Sequence, residues 1–210
     1  MKEDVTATRL LIALSKGFGF HQLFNSKISN ILAAFTPDEV HLFQDENRIG
    51  HDFFLRRGIE PTILTINNSR GNIKRSIDNY THIVVFWDGD DLTEVVYFAN
   101  LLRKNFRIIP IQLAKVRNKD REERYDVYIG RGTPWGNPFP IGLGGTGDDR
   151  ETVIEKYRTY FSEEILSDPK KHQALLSLRG YRLGCHCKPL ACHGDIIAAY
   201  LNSYEEDEPT

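Results

Sequence analysis

Thr81-His82-Ile83-Val84-Val85-Phe86-Trp87 runs straight into Asp88-Gly89-Asp90-Asp91-Leu92-Thr93-Glu94. The first stretch is almost wholly apolar. A strand with one wet face alternates apolar and polar residues, whereas a strand buried on both faces does not, and the second habit belongs to parallel strands inside layered α/β domains. The acidic, glycine-containing stretch after it turns the chain and opens a helix over residues 91–104, with Asp90 and Asp91 suited to capping its N-terminus.

The same rhythm recurs on both sides. Residues 9–15 (R-L-L-I-A-L-S), 39–43, 61–66 and 106–112 read as strands. Between them, residues 21–35 place Phe24, Ile28, Ile31, Leu32 and Phe35 on one helical face. Residues 47–57 form a helix closed by Gly58, and a short polar helix starts near Asn72. Strands alternating with helices predict an α/β fold: a doubly wound parallel, Rossmann-like sheet over residues 1–114.

The pattern then changes. Residues 115–124 (K-V-R-N-K-D-R-E-E-R) are charged and read as a linker at a domain boundary. A small α+β zinc-binding domain is expected over residues 125–203. It comprises a strand at 125–129, a Gly/Pro-rich loop at 130–149, helices at 151–166, 170–178 and 195–201, and a strand at 182–185. Val153, Ile154, Tyr157 and Phe161 share one side of the first helix. The acidic residues 204–210 read as a frayed end. No internal repeat is visible.

Composition narrows the function classes. The formal charge of −2 lacks the basic footprint of a duplex-binding protein. No apolar run reaches the roughly 18–20 residues that span a bilayer, so no membrane partner is expected. The N-terminus has no signal-peptide pattern. Clustered cysteines without an export signal fit a reducing cytoplasm and metal or thiol chemistry.

All three cysteines, Cys185, Cys187 and Cys192, lie in G-C-H-C-K-P-L-A-C-H-G-D, with His186 and His193 among them. Cys185, Cys187, Cys192 and His193 would supply four soft ligands for a tetrahedral ion, most plausibly zinc. Adjacent residues such as Cys192 and His193 share an ion less easily, so His186 could substitute for one, or a position could stay open. Two other readings stand beside the metal: Cys192 as a reactive thiol at a helix N-terminus, and small buried hydrophobes.

Three further stretches could hold a ligand. In Gly130-Arg131-Gly132-Thr133-Pro134-Trp135-Gly136-Asn137-Pro138-Phe139, Gly130 allows close approach. Arg131 can fork onto an anion, Trp135 can stack, and Asn137 can donate and accept. Equally, Trp135 and Phe139 could plug a core. Asp88, Gly89 and Thr93 stand beyond a strand's carboxyl end, where α/β sheets bind ligands, although N-capping by the acids explains them better. Gly50 with His51 and Asp52 follows the second strand, and a solvated helical turn explains it equally well.

Two family resemblances follow. The segments Y-I-G-R-G-T-P-W-G-N-P-F (Tyr128 to Phe139) and L-R-G-Y-R-L-G-C-H-C-K-P-L-A-C-H-G-D (Leu178 to Asp195), with Tyr157 in the helix between them, resemble the phage- and bacteria-associated domain of unknown function 4326. Members of that family usually carry an aromatic residue where this chain has His186. The resemblance implies a phage or bacterial source, with the host cytoplasm as the location if phage-encoded, and assigns no activity.

The first half resembles the SLOG superfamily of Rossmann-like domains, in its YpsA-like branch, through Gly50-x-Asp52 and V-V-F-W-D-G with Thr93. That resemblance implies a nucleotide-derived ligand and, in some members, cleavage of an N-glycosidic bond. The glycine pair expected before Gly50 is replaced by Asp45 and Glu46. The phosphate-loop Gly-Thr is reduced to Leu92-Thr93, and the catalytic Glu of the cytokinin-activating branch is Val96.

The leading expectation is an enzyme acting on a nucleotide or nucleotide-derived substrate. Arg131 would bind an anionic group, Trp135 would stack on a base, Asn137 would orient it, and Asp195 would complete the catalytic set beside the cysteine cluster. The rivals are a module that binds such a ligand unchanged and an interaction protein with a structural zinc. Weak nucleic-acid binding through Lys170, Lys171, Arg179, Arg182 and Lys188 is a variant of the last, and an exposed sheet edge would suit a homodimer.

Overall fold

A computed structural model describes residues 7–65, 69–121, 123–142 and 148–205. Ile66, expected to end the third strand, and residues 206–210 of the expected acidic tail lie outside the described residues. The chain divides into two compact units, the second being Gln112–Tyr204.

The first unit holds β1 (Arg9–Leu14), α1 (His21–Leu32), β2 (Glu39–Phe43), α2 (Ile49–Leu55), β3 (Thr62–Leu64), α3 (Arg70–Asp78), β4 (His82–Trp87), α4 (Thr93–Leu101) and β5 (Asn105–Pro110). Its strands form one parallel sheet in the order β3-β2-β1-β4-β5. This is the doubly wound arrangement that the unbroken apolar run in β4 called for. Successive side chains of β4 point to opposite faces and both faces are covered. Ile83 and Val85 pack with Ile73, Ile77, Val95 and Phe98 from α3 and α4. Phe86 stacks on Phe24 of α1 at 5.3 Å, and Phe24 meets Phe53 of α2 edge-on.

The second unit begins where a linker was expected. Lys115–Asn118 is strand β6, followed by a tight turn at Lys119–Arg121. β6 lies at the edge of a three-stranded parallel sheet in the order β6-β8-β7, with β7 at Val127–Tyr128 and β8 at Arg182–Cys185. Its charges are those of an edge strand, where lysine and arginine discourage further pairing, while Val116 packs on the core and Asn118 is buried. The helices are α5 (Arg150–Tyr160), continued by a wider π-wound segment Phe161–Leu166, then α6 (Pro169–Leu176) and α7 (His193–Leu201). Tyr157, Phe161, Ile165, Leu175, Leu183 and Ile197 form the core, with Trp135 among them. Asn202, just after α7, clamps β6: its Oδ1 accepts Ala114 N at 2.7 Å and its Nδ2 donates to Ala114 O at 3.0 Å.

Among the described residues, no helix is long and apolar enough to cross a membrane.

Candidate functional site

β8 ends on Cys185, and a short turn then carries the chain to Cys192, the residue that caps α7. Cys192 is extended (φ −151°, ψ 168°) while His193 begins the helix. The change of backbone direction between these adjacent residues lets both side chains turn to one point. Cys185, Cys192 and His193 are buried, and their ligand atoms lie within 4.8 Å of one another, so the group could hold a metal ion.

The surroundings prepare that group. His193 Nε2 donates to Ile129 O at 2.8 Å, which leaves Nδ1 as the ring's free lone pair. A backbone carbonyl behind the imidazole is the usual partner of a metal-binding histidine. Tyr157 lies edge-on against the ring at 5.0 Å, and its hydroxyl is tied to Trp135 O at 2.7 Å. The hydrogen bond with Cys192 lowers the Cys185 thiol below the usual thiol range. Cys192, bonded to Cys185 and buried, is correspondingly pushed up.

The group forms part of the wall of a cavity of about 330 Å³. Another part comes from the loop after β7, where Gly130, Arg131, Asn137 and Phe139 all line it. Ile141 and the first turns of α5, with Arg150, Val153 and Ile154, complete most of the remainder. Two guanidinium groups therefore face the same space as the Cys/Cys/His group. Arg131 is exposed and donates to Phe139 O at 3.3 Å, and Arg150 donates to Ala191 O at 3.1 Å. Asn137 Oδ1 accepts Phe139 N at 2.9 Å and so shapes the turn as well as lining the cavity.

Other expected positions fall elsewhere. Trp135 is only 7% exposed and is a core residue, so it offers no face for stacking. Asp195 is not in the cavity lining; its carboxylate accepts Cys192 N at 2.9 Å and pairs with Lys188, which makes it the reciprocal cap of α7. Cys187 lies outside the group of three ligands but lines the cavity, within hydrogen-bond reach of Cys185 and Arg150. His186 is outside the ligand group but lines the cavity with Tyr128; Asp120 lies 2.7 Å from its Nδ1 and the Tyr128 hydroxyl 3.0 Å from its Nε2.

Asp88, Gly89, Thr93, Gly50 and Asp52 belong to the first unit. Several backbone N–H groups there already have acceptors. Asp88 Oδ1 takes Asp90 N and Asp91 N at 3.0 and 3.2 Å, and Asp91 takes Lys16 N at 3.1 Å. Asp45 takes Gly50 N and His51 N at 3.2 and 2.8 Å. Asp52 pairs with His51 Nδ1 at 3.1 Å, which with Arg48 holds its carboxyl below the usual range. Thr93 Oγ1 donates to Asp90 O at 2.8 Å. A Cβ on Gly50 would meet Leu42 at 2.9 Å, so that glycine is set by packing.

Arg150, Tyr128 and the Asp120–His186 contact were not singled out from the sequence as site features. Arg150 follows Asp149, whose carboxylate caps α5 through Thr152 N at 2.8 Å, and nothing local marks it as facing a cysteine cluster forty residues on.

Residues 111–203 match the family described as "Domain of unknown function (DUF4326)". A curated relative, the "Uncharacterized 12.4 kDa protein in nrdA-td intergenic region" of Enterobacteria phage T4, is 42% identical over 97 residues, which cover 46% of this chain and 85% of the relative. No solved structure matches the chain. The chain belongs to the DUF4326 family through its second unit.

Proposed function

We propose that the second unit is a zinc-dependent hydrolase of a small anionic, nucleotide-derived substrate. One observation carries the reading: Cys185, Cys192 and His193 share a cavity wall with the lining that brings in Arg131 and Arg150. Three protein ligands with a fourth side facing a cavity are the pattern of a catalytic zinc, whereas a structural zinc is closed by four. Sulfur and imidazole donors suit zinc better than harder cations. When bound, zinc supplies Lewis acidity beside the substrate.

The chain's own residues supply the rest. Arg131 and Arg150 hold the anionic group, and a guanidinium can make two parallel bonds to a phosphate or carboxylate. Asn137 orients a neighbouring polar atom. Phe139, Ile141, Val153 and Ile154 offer an apolar bed for a ring and limit water. A volume of about 330 Å³ suits a ligand of mononucleotide size. In the first unit, carboxylates take several amides after β1 and β4, and we assign it no turnover.

The test is hydrolysis of a panel of nucleoside phosphates and phosphosugars by the zinc-loaded protein. Arg131→Ala and Arg150→Ala are expected to lower kcat/KM by about 10²-fold or more while leaving the bound metal in place. Wild-type turnover retained in both variants would contradict the assignment. A second reading has its own observation: Cys187 is within hydrogen-bond reach of Cys185. If Cys187 closes the metal, the cavity binds its ligand unchanged, and a ligand recovered intact after stoichiometric binding would favour that.

A further inference from the structure

Three polar side chains from three separate elements meet at the cavity wall. Tyr128 ends β7, Asp120 lies in the turn after β6, and His186 follows β8. Tyr128 and His186 both line the cavity. Asp120 lies 2.7 Å from His186 Nδ1, so that nitrogen donates to the carboxylate. His186 Nε2 sits 3.0 Å from the Tyr128 hydroxyl. Whichever of the two supplies the proton of that bond, the phenol oxygen keeps at least one lone pair for another donor.

Gly130 leaves room for that oxygen, since a Cβ there would fall 2.1 Å from it. Lys119 Nζ sits 5.1 Å from the ring centroid. The aliphatic and aromatic residues of the cavity, Phe139, Ile141, Val153 and Ile154, carry no side-chain hydrogen-bonding group. An acceptor tied to His186, in a cavity that two arginines also line, is placed to read a second, uncharged feature of the same ligand.

We propose that Tyr128 is a specificity-determining residue that accepts a hydrogen bond from a hydroxyl of the ligand, with His186 and Asp120 as positioning residues. The ligand class is a phosphorylated sugar or a nucleoside monophosphate with a free sugar hydroxyl, its anionic end on Arg131 and Arg150. This rests on the anion-binding reading above.

The experiment is titration calorimetry of the full chain with two probes, ribose 5-phosphate and methyl phosphate, which share the anion and differ in the hydroxyls. The wild type should bind ribose 5-phosphate more tightly. Tyr128→Phe, which keeps the ring, should weaken ribose 5-phosphate by about three- to ten-fold, the worth of one neutral hydrogen bond, and leave methyl phosphate unchanged. His186→Phe should lower the ratio of the two affinities in the same way, and a merely structural role would not move that ratio. Equal affinities in Tyr128→Phe and the wild type, with both probes bound, would overturn the role of Tyr128 alone. Failure of the wild type to bind either probe would overturn this inference together with the anion site.

Discussion

Two glycines in the loop after β7 show how single residues set this cavity, and they differ in what a side chain would meet. At Gly136 a Cβ would lie 2.5 Å from Gly130 O and 2.9 Å from Arg131 Cα, both backbone atoms with nowhere to go. At Gly130 it would meet the tip of the Tyr128 side chain, which can swing out. Gly136→Ala is therefore expected to destabilise the second unit by about 1–3 kcal/mol, and Gly130→Ala by less. Urea unfolding of the two variants checks the order, and a larger loss at Gly130 would contradict it. Residues of this kind were partly legible. The glycines and Arg131 stood out because few loops combine them. Trp135 did not declare itself, because an aromatic ring in a Gly/Pro-rich loop fits a core or a ligand equally well, and only the packing around Tyr157 decides. Arg150 and the contacts of His186 with Asp120 and Tyr128 depend on residues far apart in sequence, which no local pattern encodes.

At the scale of elements, the β7–β8 edge is fastened by Asp126 and Arg182. The Arg182 side chain donates to Asp126 at 2.6 and 3.0 Å and its backbone N–H at 2.8 Å. These bonds, the side-chain ones first, hold the Asp126 carboxyl at about 2. An unfolded aspartate titrates near about 3.9. A depressed folded value contributes stability in full above the unfolded value, and the contribution is lost as pH falls through the folded one. The difference in unfolding midpoint between the wild type and Asp126→Asn should thus be flat at neutral pH and close between about pH 4 and about pH 2. A difference that persists unchanged at the acid end would contradict this account of the edge. The elements themselves were readable where apolar residues run unbroken, as in β1 and β4, or recur at helical spacing, as in α1 and α5. β6 was not, because a short edge strand with lysine and arginine on alternate residues has the composition of a linker. Only its pairing with β8 separates the two.

At the scale of the whole molecule, the chain joins two units with different relations to chemistry. The first is a parallel sheet in which Asp91 and Asp88 take amides after β1 and β4, and Asp45 takes amides in the first turn of α2. The second gathers three thiols, two imidazoles and two arginines around one cavity. Sequence reading anticipated the parallel sheet and picked out the Cys185, Cys192 and His193 group that could hold a metal ion, because cysteines are few and clustered. It distributed candidate binding residues over both units, because a strand end followed by glycine and acids looks alike whether the acids cap the loop or hold a cation. The most direct test of the account is the metal content of the intact protein and of single cysteine variants, read by native mass spectrometry. The account predicts one zinc ion per chain in the wild type, retained in Cys187→Ser and lost in both Cys185→Ser and Cys192→Ser. A metal-free wild type would contradict the zinc centre, and loss of the ion in Cys187→Ser would contradict its open position.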